Sequence, residues 1–83
     1  MILFDDKGWA DYQEWALLDR KKLKRINALI EECQRTPFVG TGKPEPLRYQ
    51  LQGFWSRRID AEHRLVYCWD QGTLTIASCR HHY

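Results

Sequence analysis

The chain has 83 residues, of which 43% are hydrophobic and 29% charged, and its formal net charge is +2. This length supports one modest core and not two, so we expect residues 1–83 to form a single domain. Apolar runs fall far short of the roughly 20 residues of a membrane helix, and the run Ile2–Phe4 is followed at once by two aspartates, which excludes a signal-peptide core. We therefore expect a cytoplasmic protein that does not bind membranes.

The charge is unevenly distributed along the chain. Residues 1–19 hold five acidic residues and one basic residue, a net −4, whereas residues 20–83 hold twelve basic and six acidic residues, a net +6. A positive body of this kind favours phosphate-rich or acidic partners. The basic run Arg20–Arg25 is typical of a solvated helix face, and contact with ribosomal RNA or an acidic partner is the alternative.

Three cysteines, Cys33, Cys68 and Cys79, agree with a cytoplasmic location. Their number is odd, and their spacing matches neither a zinc ribbon nor a redox CxxC motif. Cys68 and Cys79 lie on neighbouring predicted strands and could approach each other. We expect buried thiols.

The N-terminal half predicts one short strand and two helices. Ile2–Phe4 is a strand, and apolar residues at helical spacing predict the first helix from about Lys7 to Leu18. Asp19 is a candidate N-cap for the second helix. That helix ends near Arg35, because the residue before Pro37 disfavours helical backbone.

The C-terminal half predicts a stiff loop followed by strands. Residues 36–46 contain all three prolines of the chain, and proline fixes its own φ angle. Asp70-Gln71-Gly72 reads as a hairpin turn. The predicted strands are 47–51, 54–59, 64–69 and 73–80. The fold class is therefore α+β, with two N-terminal helices packed on one face of an antiparallel β-sheet.

Several residues in this half suit the cleavage of RNA through its own 2′-hydroxyl. That reaction needs a base for the hydroxyl, an acid for the leaving 5′-oxygen and positive charge beside the phosphorus. Glu45 stands between two prolines, with Arg48 three residues further on. A glutamate considered alone in such a loop is most often a solvent-exposed acid; its arginine-rich context favours a general base.

Three further arginines supply candidate phosphate-binding cations. Arg57 and Arg58 point to opposite faces of one predicted strand, so both cannot serve a single phosphate. One of them can contact substrate phosphate while the other packs or contacts a partner. Arg64 begins the next strand, and structural ion pairs with Asp60 or Glu62 are the competing interpretation.

His82 and Tyr83 end the chain. Terminal residues usually fray, but the alternation of the last predicted strand indicates that they can lie along an ordered strand. His81 and His82 then face opposite ways and form a poor metal pair, and we find no other ligands for a zinc site, so we expect no metal and no cofactor. A histidine can donate a proton at neutral pH, and a tyrosine can stack on a base or steady the leaving group.

With these residues in place, the chain resembles the YoeB/Txe family of bacterial toxins, within the wider RelE-like group. The resemblance covers essentially the whole chain, and its most specific stretches are residues 35–47, 53–59, 62–67 and 79–83. It implies a microbial-ribonuclease-like fold, cleavage of mRNA chiefly on the translating ribosome, and silencing by a YefM-type antitoxin. We also allow for a homodimer.

The resemblance also implies roles for individual residues. The general base of the family falls on Glu45, its phosphate-stabilising arginine on Arg64 and its general acid on His82, with its terminal tyrosine on Tyr83. Supporting positive positions fall on Arg48 and Arg58. Arg48 stands where relatives also have lysine, and His81 replaces a more usual aromatic residue.

Two other functions compete with this interpretation. A gyrase-directed toxin of the ParE branch has the same fold but does not need the Glu, Arg and His set. A non-catalytic RNA- or ribosome-binding module would need only the basic patch.

Overall fold

The computed structural model describes residues 1–81, and the predictions for His82 and Tyr83 lie outside that range. Within it the chain forms two α-helices, five β-strands and one short 3-10 helix. In chain order these are β1 (Ile2–Phe4), α1 (Asp6–Leu18), α2 (Arg20–Arg35), β2 (Glu45–Pro46), a 3-10 helix (Tyr49–Leu51), β3 (Trp55–Arg58), β4 (Arg64–Asp70) and β5 (Thr73–Ser78). The predicted α+β class, with two N-terminal helices, is confirmed.

The sheet is mixed, which corrects the prediction of a purely antiparallel sheet. Over residues 1–81 its strand order is β1-β5-β4-β3-β2. The four C-terminal strands pair antiparallel, but β1 runs parallel to β5 with Ile2 opposite Leu74. Strand direction depends on the crossover through α1 and α2, and periodicity within a strand does not reveal it.

Both helices begin at aspartate caps. The Asp5 side chain accepts a hydrogen bond from the Gly8 N–H at 2.8 Å. Asp19 joins the two helices: its side chain accepts from Lys21 N at 3.0 Å, while its own N–H donates to Trp15 O at 2.9 Å. The predicted N-cap at Asp19 is confirmed, and α2 ends at Arg35 as expected.

Two of the predicted strands differ from the observed structure. Residues 47–51 are not a strand, because Tyr49 adopts a φ of +59° and begins the 3-10 helix. β5 ends at Ser78, because the backbone of Cys79 is engaged by α1 instead of a strand. Its N–H donates to Asp11 Oδ2 at 3.0 Å, and its carbonyl accepts from Trp15 Nε1 at 2.7 Å.

One face of the sheet packs on the helices and forms the core. The buried apolar side chains of this core are Trp15, Ile26, Leu29, Ile30, Cys33, Ile59, Leu65, Tyr67, Leu74, Ile76 and Cys79. All three cysteines are unpaired. Cys33 and Cys79 are buried as predicted, whereas Cys68 is only half-buried, and burial raises the pKa of Cys79 to about 12. Neither helix in the described part of the chain has the length and apolarity to cross a membrane.

Candidate active site

Two arginines face each other on the sheet face opposite the helices. Arg58 at the end of β3 is directly paired with Arg64 at the start of β4. Directly opposed residues share one face of an antiparallel pair, and like charges in that position destabilise the sheet. Arg58 is exposed and Arg64 half-buried. A bound anion would offset the repulsion between these two guanidinium groups.

The Arg64 side chain is held by the turn that precedes it. Its Nη1 donates to the carbonyl oxygens of Asp60 at 3.2 Å and His63 at 3.3 Å. The Asp60 carboxylate instead pairs with Lys22 at 2.9 Å. Burial alone would raise the pKa of Asp60, but hydrogen bonds from Lys22 and from the backbone N–H groups of His63 and Glu62 outweigh it and lower the pKa to about 2. Asp60, one of the two carboxylates of the competing interpretation, therefore pairs with Lys22, and the Arg64 side chain bonds to backbone carbonyls instead.

Glu45 lies on the same sheet face as the two arginines. β2 pairs with β3 so that Glu45 is directly opposite Ser56. Ser56 and Arg58 are two residues apart on one strand and so share a face. Diagonal neighbours on adjacent strands are about 7–8 Å apart, within reach of long side chains. The sheet thus places the exposed Glu45 on the same face as Arg58 and Arg64.

A cleft extends from Glu45 along the segment that follows it. It has a volume of about 490 Å³ and is lined by residues 45–51. Its size lies within the range of roughly 300–1,000 Å³ typical of small-ligand sites. Arg48, predicted to bind substrate, lines this cleft and is exposed.

Tyr49 is a candidate site residue that was not predicted from the sequence. It is 85% exposed, lines the cleft beside Arg48, and holds a left-handed backbone with a φ of +59°. Such a backbone is unusual for a bulky residue and is often associated with function. Its position next to Arg48 could have indicated a role at the site. The prediction of a strand over residues 47–51 gave no reason to expect the exposed, left-handed Tyr49.

Arg57 is separated from these residues, which corrects its prediction as a substrate-binding residue. It is paired with Leu65 of the core, and its side chain is 0% exposed. The expectation that Arg57 and Arg58 face opposite ways is confirmed. Arg57 faces the helices, so it does not present its guanidinium group to a ligand on the open face.

The described end of the chain returns to the start of β4. The carbonyl of His81 accepts from Arg64 N at 3.1 Å, and its N–H donates to His63 Nδ1 at 2.7 Å. His81 has a φ of +64°, so the chain turns here and does not continue the strand as expected. The roles predicted for His82 and Tyr83 concern residues beyond those the structure describes.

One group of metal-type donors occurs among the described residues. Donor atoms of Glu62, His63 and His81 lie within 4.8 Å of one another. His63 Nδ1 accepts the His81 N–H, so the proton of the neutral ring is on Nε2, which lies 3.6 Å from Glu62 Oε1. A metal could bind Nε2 only after that proton moves, so the arrangement fits a hydrogen-bonded cluster better than a prepared metal site. The sequence search missed this group because His63 and His81 are 18 residues apart.

The chain is similar to known toxins over nearly its whole length. Residues 4–83 match the family model described as the YoeB-like toxin of bacterial type II toxin–antitoxin systems. The chain is 51% identical over 82 residues to Toxin YoeB of Escherichia coli (strain K12), covering 99% of this chain and 98% of that protein.

Two solved structures from Staphylococcus aureus are also similar. One is a chain of the YoeB–YefM complex, with a TM-score of 0.93, 42% identity and coverage of 100% and 97% of the two chains. The other is a YoeB dimer, with a TM-score of 0.91, 43% identity and coverage of 99% and 95%. The chain therefore belongs to the YoeB-like toxins of bacterial type II toxin–antitoxin systems.

Proposed function

We propose that this toxin is an mRNA endoribonuclease that cuts on the translating ribosome and thereby inhibits translation. The observation that carries the proposal is the opposed pair of Arg58 and Arg64 on the same sheet face as Glu45. A site for a dianionic phosphorus-centred transition state needs positive charge and a nearby base, and it needs them on one surface. A non-catalytic RNA-binding surface would need the cations but not the carboxylate.

We propose the following reaction for these residues. Glu45 takes the proton of the 2′-hydroxyl, whose oxygen attacks the adjacent phosphorus while Arg58 and Arg64 stabilise the added negative charge. The bond from phosphorus to the 5′-oxygen breaks, and His82 donates a proton to that leaving oxygen. The products are a 2′,3′-cyclic phosphate and a 5′-hydroxyl end. Tyr83 steadies the leaving group.

The cleft beside Glu45 would hold the neighbouring nucleotide. Arg48 supplies charge for its phosphate, and the exposed ring of Tyr49 offers a surface on which a base can stack. Stacking tolerates any base, which agrees with an enzyme that acts on many messages.

The partners follow from family membership. We infer that a YefM-type antitoxin binds and silences this toxin in the bacterial cytoplasm, because the similar YoeB of S. aureus occurs in a complex with YefM. A homodimer is also proposed, because a similar S. aureus YoeB forms a dimer. An acidic segment of the antitoxin would complement the arginine face.

RNA-end mapping after brief expression tests the function. We expect internal mRNA cuts with 2′,3′-cyclic phosphate ends, which disappear with Glu45→Gln. Glu31→Gln is the matched control, because Glu31 is an exposed acid of α2 that pairs with Arg35 at 3.5 Å, away from the site. Gyrase-linked DNA breaks without mRNA cuts would favour a ParE-like activity. Translation inhibition without cuts of either kind would favour a binding module.

A further inference from the structure

The buried guanidinium group of Arg57 is fully hydrogen-bonded. Arginine has five N–H groups, and here each has an acceptor. Nε donates to Tyr67 Oη at 3.1 Å. Nη1 donates to Thr41 O at 3.2 Å and also to a Glu32 carboxylate oxygen. Nη2 donates to Val39 O at 2.8 Å and also to Thr36 O.

Three of these acceptors are carbonyls of one loop, residues 36–41. The other two acceptors are the side chains of Glu32 and Tyr67, and both of them also bind this loop. Glu32 accepts from the Thr41 N–H at 2.6 Å and from its hydroxyl at 2.9 Å, and Tyr67 Oη donates to Pro37 O at 2.6 Å. Arg57 is thus the centre of a network that fastens the loop to β3, β4 and α2.

This network keeps Arg57 charged. Burial works to lower its pKa, but the hydrogen bonds to Tyr67 and to the Glu32 carboxylate help to outweigh burial, and the pKa of Arg57 is raised. Hydrogen bonds from Thr41, aided by Arg57, lower the pKa of Glu32, so that carboxylate stays ionised. The loop is therefore held by charge-assisted hydrogen bonds, which are stronger than neutral ones.

The loop leads directly into the segment that carries Glu45. Gly42 O accepts from Arg58 N at 2.7 Å, and three residues later Glu45 pairs with Ser56. β2 is only two residues long, so its own pairing offers few hydrogen bonds to fix its position. The attachment of residues 36–42 therefore contributes to the placement of Glu45 relative to Arg58, together with the hydrogen bond from Leu47 N to Phe54 O at 2.9 Å.

We propose that Arg57 is a positioning residue that acts through Glu45: it fastens the 36–42 loop and so sets the place of the carboxylate beside the arginine pair, without touching RNA. This rests on the proposed role of Glu45 as the base. It assigns the two adjacent arginines of β3 to different tasks, with Arg57 organising the site and Arg58 contacting the phosphate.

The test compares Arg57→Met with Arg58→Met. Affinity is measured with uniformly 2′-O-methylated RNA, which lacks the nucleophile, and cleavage is measured as a single-turnover rate on saturating unmodified RNA. We expect Arg57→Met to change the affinity less than twofold and to slow cleavage by roughly 100-fold, as a displacement of about 1 Å can do. Arg58→Met should weaken the affinity as well. A large loss of affinity with an unchanged rate in Arg57→Met would overturn the proposal.

A double-mutant cycle separates positioning from a general structural effect. If Arg57 acts through Glu45, adding Arg57→Met to Glu45→Gln should slow cleavage little further. Independent, multiplying effects would refute this route. If Glu45→Gln alone cleaves at the wild-type rate, the proposed function is wrong in its base, and Arg57 cannot act through it.

Amide exchange tests the loop without any cleavage assay. The N–H groups of Thr41 and Arg58, which bond to Glu32 and Gly42, should exchange at least tenfold faster in Arg57→Met than in the wild-type protein. Unchanged exchange would refute the positioning role whether or not the protein is a nuclease. If Arg57→Met fails to fold, Glu32→Gln serves instead, because it weakens the same network from a partly exposed side chain. The same shifts in exchange and rate, smaller in size, are then expected.

Discussion

Asp60→Asn should destabilise the protein at neutral pH through the turn that supports Arg64. The Asp60 carboxylate pairs with Lys22 at 2.9 Å and accepts the N–H groups of Glu62 at 2.8 Å and His63 at 2.7 Å. Asparagine keeps an oxygen for these N–H groups but loses the negative charge. The variant therefore isolates the charge-dependent part of the interaction.

The size of the effect follows from the shifted pKa. The pKa of Asp60 falls from 3.8 to about 2, a difference of about 1.8 units, and each unit corresponds to about 1.4 kcal/mol. The charged carboxylate thus contributes about 2–3 kcal/mol to the free energy of unfolding. Because the pKa of the folded state is the lower one, this contribution is present above pH 3.8 and is lost as the pH falls towards 2.

Urea unfolding at several pH values measures this contribution. The difference in free energy of unfolding between the wild-type protein and Asp60→Asn should be about 2–3 kcal/mol at pH 6 and should shrink steadily between pH 4 and 2. Glu31→Gln is the matched control, because its exposed pair with Arg35 should contribute less than about 0.5 kcal/mol. A difference that is constant with pH, or one no larger than that of the control, would refute the argument.

Two further predictions concern the proposed RNA site. Tyr49→Ala should weaken the binding of 2′-O-methylated RNA by roughly tenfold, because one stacked base contributes about 1–3 kcal/mol, whereas Tyr49→Phe should bind normally; equal binding by all three proteins would remove Tyr49 from the site. His82→Ala should reduce the single-turnover rate by roughly 10²–10⁴-fold with thermal unfolding unchanged. His81→Ala should cost far less, because the hydrogen bonds of His81 to Arg64 and His63 use its backbone. If His81→Ala is inactive and His82→Ala is active, the assignment of His82 as the general acid is wrong.

Local rules were sufficient for much of this fold. Asp19 caps α2 because its side chain reaches the first N–H groups of the helix, a contact that depends only on neighbouring residues. The hairpin after Asp70 turns at Gln71 and Gly72, whose φ values of +49° and +82° suit a type I′ turn. Both features are encoded within four residues, and both were predicted correctly.

The errors come from features that neighbouring residues do not encode. The parallel pairing of β1 joins residues about seventy positions apart, as in the hydrogen bond from Leu74 N to Met1 O at 2.8 Å. The end of β5 is set by Asp11 and Trp15, which belong to the first helix. A left-handed Tyr49 has no local signature, because glycine is the usual residue at such a φ.

The same limit explains why the sequence did not show which of Arg57 and Arg58 is buried. Alternation shows that adjacent strand residues face opposite ways, but it does not say which face is covered. An arginine can be buried only where hydrogen-bond acceptors surround its guanidinium group. The acceptors of Arg57 belong to α2, β4 and the 36–41 loop. A one-residue slip of β3 would bring Arg58 to those acceptors and Arg57 to the open face. It would also move Ser56 away from Glu45, and Arg58 away from Arg64. The interior network that holds Arg57 thus favours the register of β3 that leaves Arg58 on the open face, where the proposed reaction needs a cation.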